Sequence, residues 1–171
     1  MMRRLVYAAI LLAILLLWLF ADRLTPAETV KAEVALARDG DTLVMGDHVF
    51  RLYGVDAPEY RQTCTDGDGG EWPCGKAARL QLAAFVAPGD LVCEVMAKDQ
   101  YHREVARCSS ATVPDLSEAL VQAGMAVSPA ARGDAPYGDA EEAARTAKRG
   151  LWQGSFELPA EWRARKVQAS G

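Results

Sequence analysis

The sequence predicts an α+β fold in which a small twisted β-barrel carries helices. Five short runs of β-forming residues are interspersed with three runs of helix-type periodicity. Charged residues make up 25% of the chain and hydrophobic residues 50%, which is typical of a globular protein and argues against disorder. Short strands interspersed with helices favour this arrangement.

An uninterrupted apolar run at residues 5–21 precedes the domain. At about 1.5 Å per residue, a helix of this length is near the minimum that spans a bilayer core. Arg3 and Arg4 before it predict a cytoplasmic N-terminus and a body outside the cytoplasm. We expect an uncleaved signal anchor in the inner membrane, with the domain facing the periplasm or exterior. The alternative is a signal peptide cleaved near residues 25–27, which would give a periplasmic or secreted protein.

Turn-forming residues set the limits of the predicted elements. The predicted strands are residues 30–36, 42–45, 48–55, 91–96 and 104–108. Asp-Gly between the first two is a strong hairpin signal. The third strand ends before Pro58, because proline cannot donate a hydrogen bond to a β-ladder. The predicted helices are residues 75–86, 116–123 and 138–149. Asp115 is the expected N-cap of the second helix, and Gly124 ends it.

These elements define one domain at residues 30–155, with a linker at 22–29 and a C-terminal tail at 156–171. Residues 60–75 are polar and Gly-rich and are predicted to form a loop. A loop of this length without its own structure is usually functional or held by a cross-link.

Four cysteines predict two disulfides. None forms a C-x-x-C pair and the chain has two histidines, so a zinc site is poorly supported. In an oxidising compartment an even number of cysteines indicates disulfides, and four allow three connectivities. We prefer Cys64–Cys74, near the two ends of the loop, and Cys93–Cys108, which are opposed if the last two strands form a hairpin. Four free thiols in a cytosolic protein are the alternative.

Acidic side chains are concentrated between residues 39 and 59. The four carboxylates are those of Asp39, Asp41, Asp56 and Glu59. Gathering them is electrostatically costly unless a cation binds, and hard oxygen donors suit calcium. Arg51 and Arg103 are suited to a phosphate, because guanidinium matches phosphate oxygens bidentately. Since the formal net charge is −4, binding of nucleic acid would depend on such a local site rather than on a basic surface.

Three motifs carry a resemblance to a known family. They are Asp-Gly-Asp-Thr at residues 39–42, Arg-Leu-x-Gly-x-Asp-x-Pro-Glu at 51–59, and Asp-x-Tyr-x-Arg at 99–103. In these motifs and their order the chain resembles the thermonuclease family, the staphylococcal-nuclease-like domains. The similarity continues through 120–126 and 150–152, and so covers roughly residues 30–155. Each motif alone is weak, but three in order are highly specific.

The resemblance implies an OB-type five-stranded barrel with three helices. It implies a calcium-dependent nuclease that cleaves the 5′ P–O bond of DNA and RNA and leaves 3′-phosphate ends. The implied calcium ligands are Asp41, Asp56 and the backbone carbonyl of Ala57, with Asp39 nearby. Glu59 matches the residue that orients or deprotonates the attacking water. Arg51 and Arg103 match the arginines that stabilise the phosphorane-like state.

The sequence departs from the family at substrate-binding positions. Ala57 replaces a common threonine, and Gln100 stands where a lysine can aid phosphate binding, while Tyr101 is kept as a substrate contact. The tyrosines that stack on a base are missing from residues 127–132, where Tyr137 is the nearest aromatic residue.

Two other functions compete with the enzyme. One is an OB-type module that binds nucleic acid or protein without chemistry. The other is a membrane-tethered structural subunit of an envelope complex. We expect a monomer that acts on DNA, RNA or both and that contacts the membrane through residues 5–21 if the anchor is uncleaved.

Overall fold

The computed structural model describes residues 2–21, 28–99, 101, 103–130 and 135–169. The α+β class is confirmed. Over these ranges the strands are β1 (Thr29–Ala32), β2 (Leu36–Ala37), β3 (Thr42–Met45), β4 (His48–Leu52), β5 (Cys64–Thr65), β6 (Glu71–Trp72), β7 (Leu91–Lys98) and β8 (Glu104–Ser109). The helices are α1 (Met2–Ala21), α2 (Cys74–Val86), α3 (Leu116–Gln122), α4 (Gly138–Thr146) and α5 (Pro159–Gln168), with a 3-10 helix at Gly150–Gln153.

Six strands form one curled mixed sheet in the order β1-β7-β8-β4-β3-β2. The β4–β8 pair is parallel, and the other neighbours are antiparallel. The two edge strands, β1 and β2, are separated along the chain only by residues 33–35. A segment that short spans at most about 14 Å, so the edges must approach each other. The sheet is therefore a half-barrel, consistent with an OB-type fold.

The structure differs from the predicted strand count. The single strand predicted at residues 30–36 is wrong, because β1 pairs with β7 whereas β2 pairs with β3. The predicted loop at residues 60–75 also contains a small ladder, in which Cys64 lies opposite Trp72. The three predicted helices are present, but α5 and the 3-10 helix add to them, and the predicted tail at 156–171 is largely α5.

Helices α2 and α3 pack against each other and against the sheet, α2 on β2 and α3 on β8. Helix α2 buries Ala78, Leu82 and Val86 at helical spacing, and burial of a leucine side chain stabilises the fold by about 1.5–3 kcal/mol. The Asp115 side chain caps α3 as predicted, since it accepts hydrogen bonds from the backbone N–H groups of Ser117 (2.9 Å) and Glu118 (3.2 Å).

Both predicted disulfides are confirmed. Cys93 and Cys108 are directly opposed in the β7–β8 ladder and are bonded. Cys64 and Cys74 join the start of β5 to the start of α2. The Cys64–Cys74 bond belongs to a separate small cluster with Val127 and Leu151. This cluster holds the 60–75 segment against the end of the domain. Paired cysteines are typical of an oxidising compartment.

The apolar run at residues 5–21 lies in helix α1. Over the described ranges, none of the helices is both long and apolar enough to cross a membrane.

Candidate active site

The Asp-Gly turn between β2 and β3 ends at Asp41, which is buried. The Arg38 N–H donates to the Thr42 carbonyl at 2.9 Å, which closes the turn. A Cβ on Gly40 would lie 2.7 Å from the Ala57 Cβ and 2.8 Å from the Ala78 Cβ. Glycine therefore allows the turn to pack against α2 and against the segment after β4. The result is a buried Asp41 whose Oδ1 accepts a hydrogen bond from the Thr42 hydroxyl at 3.0 Å.

Arg51 joins two of the predicted carboxylates. It lies on β4 opposite Thr42, and its Nη1 is 2.8 Å from Asp41 Oδ2 while its Nη2 is 2.7 Å from Asp56 Oδ1. Asp56 is held by an isolated bridge to Val127, in which each backbone N–H donates to the other residue's carbonyl. Asp41 and Asp56 therefore point toward one position, where a guanidinium group now lies.

Burial and neighbouring charge set the electrostatics of this pair. Burial raises the pKa of Asp41, and the positive charge of Arg51 opposes that rise. Burial also disfavours the charged form of Arg51, but Asp41 and Asp56 outweigh it and raise the pKa of the guanidinium. Arg51 is therefore permanently charged, and the acids depend on it for compensation.

Glu59 comes next, on the segment that follows Pro58. Its Oε1 lies 3.0 Å from Nη1 of Arg163, which projects from α5. The same guanidinium contacts both oxygens of Asp56, with Nη1 3.0 Å from Oδ1 and Nη2 2.9 Å from Oδ2. Hydrogen bonding to Asp56, followed by that to Glu59, raises the pKa of Arg163. The Asp56 and Glu59 side chains thus face a common cation.

The backbone of Glu59 is held from behind by α2. A Cβ on Gly75 would clash with the Glu59 carbonyl oxygen, so the helix and this segment are in the closest contact that glycine permits. The buried side chain of Gln62 accepts a hydrogen bond from the Glu59 N–H at 3.2 Å and donates to the Glu157 carbonyl at 2.7 Å. Glu59 is thus supported both by α2 and by the chain that leads into α5.

Arg103 and Tyr101 lie at the turn between β7 and β8. Arg103 Nε donates to Asp99 Oδ2 at 2.7 Å, and its guanidinium carbon lies 5.5 Å from the centre of the Tyr101 ring. The Tyr101 side chain is exposed. Desolvation is the largest single influence on Asp99 and raises its pKa, but the hydrogen bonds from Arg103 and Tyr101 together outweigh it and lower the pKa. Gln100 lies outside the described residues.

These groups line one open cleft with a volume of about 1000 Å³. The charged and aromatic side chains along its wall are Arg51, Tyr53, Asp56, Glu59, Asp99, Tyr101, Arg103 and Arg163. Asp41 is buried behind Arg51, with which it pairs. The three predicted catalytic side chains therefore share a cleft with one of the two predicted metal carboxylates, and the other lies directly behind it.

Other predicted residues lie apart from this cluster or face it differently. Asp39 pairs with Arg38 at 3.8 Å on the outside of the turn. Ala57 presents its backbone N–H, 3.4 Å from Asp41 Oδ2. Tyr137 is buried and its hydroxyl donates to Asp115 Oδ2 at 3.0 Å, so its ring packs in the core and does not provide a base-stacking surface.

The oxygen donors of Asp41 and Asp56 fit a hard cation. Among the described residues, no three or more His, Cys, Asp or Glu side chains are grouped to hold a metal ion. Two carboxylates nevertheless converge on one positive group, and calcium also accepts backbone carbonyls and waters as ligands. The contacts of Arg51 with Asp41 and Asp56 mark where the two carboxylates meet.

Sequence reasoning missed Arg163 and Gln62. Arg163 lies 107 positions from Asp56 along the chain, in a segment that was predicted to be a tail. Pro159 followed by helix-forming residues is a signal that could have predicted α5. That signal would not have shown which face of the helix meets the cleft.

Comparison with known proteins extends over most of this region. The sequence model described as Staphylococcal nuclease homologue matches residues 49–154. The succinoglycan biosynthesis protein ExoI of Rhizobium meliloti (strain 1021) is 33% identical over 120 residues. The aligned part covers 70% of this chain and 63% of that relative. The matched segment includes Arg51, Asp56, Glu59 and Arg103, and it ends before α5.

Proposed function

We propose that this chain, which belongs to the staphylococcal nuclease homologue family, is a calcium-dependent nuclease that acts outside the cytoplasm. Its substrate is DNA, RNA or both, and its products carry 3′-phosphate ends. One observation carries the proposal: Arg51, Glu59 and Arg103 line a single cleft beside the paired carboxylates of Asp41 and Asp56. A base, two phosphate-binding cations and oxygen donors for a metal are the groups that phosphodiester hydrolysis requires.

Asp41, Asp56 and the backbone carbonyl of Ala57 would hold the calcium ion, whereas Asp39 pairs with Arg38 and would not be a direct ligand. When bound, calcium neutralises the charge that develops on a phosphate oxygen. Asp41 is the less exposed of the two acids. Because a buried charge without a partner is costly, Asp41 gains more stabilisation from a nearby cation than an exposed acid would. The arrangement of two carboxylates about one positive group supports this assignment.

Glu59 accepts a proton from the attacking water. Its carboxylate is one-third exposed and opens into the cleft, so water reaches it, while Gln62 and Gly75 hold its backbone. A positioned carboxylate base typically accelerates such a step about 10²- to 10⁴-fold. Arg51 and Arg103 donate to the non-bridging phosphate oxygens, where paired N–H groups match the oxygen spacing.

Tyr101 is the aromatic contact for the substrate. Its ring is exposed on the cleft wall beside Arg103, and stacking of a base on such a ring is worth about 1–3 kcal/mol. Tyr137 packs in the core, and the other cleft tyrosine, Tyr53, has the Arg107 guanidinium carbon 5.5 Å from the centre of its ring, so we expect base stacking to depend on Tyr101.

Exposure to an oxidising compartment is supported by the two disulfides. We propose a monomer on the periplasmic or external side of the membrane, or secreted from it. The intact mass of the mature protein distinguishes the two forms. A mass that includes residues 1–21 indicates a retained anchor, and a start near Glu28 indicates cleavage.

A binding module without chemistry is the second candidate, because guanidinium groups occupy the carboxylates of Asp56 and Glu59. Purified full-length protein should be incubated with labelled DNA and RNA over a calcium titration. The enzyme requires calcium-dependent cleavage. Normal oligonucleotide binding with no cleavage at any calcium concentration would favour the binding module.

A further inference from the structure

Arg163 occupies the oxygen atoms that a divalent cation and a catalytic base would use. Asp56 Oδ1 accepts from Arg51 at 2.7 Å and from Arg163 at 3.0 Å. Asp56 Oδ2 and Glu59 Oε1 accept from Arg163 at 2.9 and 3.0 Å. Asp41 Oδ2 pairs with Arg51. Every one of these carboxylates is therefore bound to a guanidinium group.

Helix α5 is anchored independently of Arg163. The Glu157 carbonyl, just before the helix, accepts a hydrogen bond from buried Gln62, which also binds the Glu59 N–H. Arg165 holds the Glu157 carboxylate through contacts of 2.7 to 3.2 Å. The helix therefore remains beside Glu59 even if the Arg163 side chain moves.

The charges of the cluster favour exchange of one cation for another. Asp41, Asp56 and Glu59 are balanced by Arg51 and Arg163, so three carboxylates face two guanidinium groups. A calcium ion needs carboxylate lone pairs at close range. Asp56 can supply Oδ2 only if Arg163 releases it. The Arg163 side chain is 39% exposed and lines the open cleft, so water can solvate its guanidinium group once it leaves the acids.

Building on the proposed function, we propose that Arg163 is a positioning residue that holds Asp56 and Glu59 in the metal-free protein, and that calcium displaces it. The guanidinium keeps the acids together when no cation is bound, and its release frees Glu59 to act as the base. Calcium affinity is therefore lower than the carboxylates alone would give.

The test is calcium affinity by isothermal titration calorimetry for the full-length wild type, Arg163→Ala, Arg163→Lys and Arg165→Ala. Arg163→Ala should bind calcium about tenfold more tightly, because one charge-assisted contact no longer competes at a partly exposed site. Arg163→Lys should be intermediate, since lysine keeps the charge but cannot contact both acids. Arg165→Ala removes a charge from the same helix and should change affinity less than about twofold.

A second readout is thermal unfolding with a chelator and with calcium. Without calcium, Arg163→Ala should unfold about 2–4 °C below the wild type, because the acids lose a partner. Saturating calcium should remove that difference. Arg163→Lys provides the comparison if Arg163→Ala does not fold.

The outcomes separate this inference from the proposed function. Calcium binding by the wild type with equal or weaker binding by Arg163→Ala would overturn the displacement of Arg163 and leave the nuclease proposal standing. An equal gain in affinity for Arg165→Ala would reduce the effect to long-range charge and overturn the inference. Failure of the wild type and all variants to bind calcium would overturn both.

Discussion

Gly75→Ala tests whether the position of the Glu59 backbone matters to the reaction. A Cβ at Gly75 would meet the Glu59 carbonyl oxygen, the Glu59 carbonyl carbon and the Tyr60 carbonyl carbon, all backbone atoms. Real Cβ atoms essentially never approach other atoms within 3.0 Å. Because none of these atoms belongs to a flexible side chain, the Glu59 segment itself must move away from α2.

The structure gives the size of the displacement. The Cβ would lie far inside that 3.0 Å limit from the Glu59 carbonyl oxygen, so the segment must shift by about 1 Å or more to reach tolerable contact. Overpacking of this kind costs about 1–3 kcal/mol of unfolding free energy. A displacement of about 1 Å at a reacting group reduces the rate about 100-fold. We therefore expect Gly75→Ala to lose both stability and activity.

The matched control is Gly138→Ala. Both glycines lie in the first turn of a helix, but a Cβ at Gly138 would make an ordinary contact of 3.6 Å with the Ala135 Cβ. Unfolding free energy from urea titration and the initial cleavage rate at saturating calcium should be measured for both variants. Gly75→Ala with a rate within about threefold of the wild type would refute the account of Glu59 positioning, and so would an equal loss in Gly138→Ala.

Four further predictions follow from the site and the core. Glu59→Gln should slow cleavage about 10²- to 10⁴-fold while the thermal midpoint changes little; a rate close to wild type would remove Glu59 from the mechanism. Arg103→Lys should reduce the cleavage rate about tenfold or more, because lysine cannot donate two parallel hydrogen bonds to a phosphate, and an unchanged rate would exclude a direct phosphate contact. Replacing Cys93 and Cys108 together by alanine should lower the unfolding free energy in urea by about 3 kcal/mol for a loop of this length, whereas a loss below about 1 kcal/mol would contradict the assigned role of the bond. In a chelator, the free energy of unfolding of the wild type should fall relative to that of Asp41→Asn as the pH rises from about 4 to 7. The reason is that the raised pKa of Asp41 makes the folded state bind that proton more tightly than the unfolded state does. A wild-type value that rises relative to Asp41→Asn over this range would contradict the direction of the shift.

Features encoded by neighbouring residues could be predicted from the sequence. Asp115 caps α3 because its position before an apolar helical pattern is a local signal. Cys93 faces Cys108 because the register of one hairpin follows from the two strands and their turn. The turn at residues 38–41 follows from Asp-Gly between β-type runs in the same way.

Features that depend on distant contacts could not be predicted in this way. The segment 30–36 has continuous β-type composition, yet β1 and β2 form opposite edges of the sheet, and periodicity does not specify a change of partner. Arg163 meets Asp56 and Glu59 across more than 100 positions of chain. The composition of residues 156–171 predicts a solvated helix at most. The acids that bind the polar face of this helix lie in another part of the sequence.

The central claim is that the cleft hydrolyses nucleic acid with calcium bound to Asp41 and Asp56. The most direct measurement is cleavage of labelled DNA and RNA by the full-length protein over a calcium titration, with analysis of the product ends. The account predicts no cleavage in a chelator, a rate that rises and saturates with calcium, and 3′-phosphate ends. Cleavage that persists in a chelator, or products with 3′-hydroxyl ends, would contradict it.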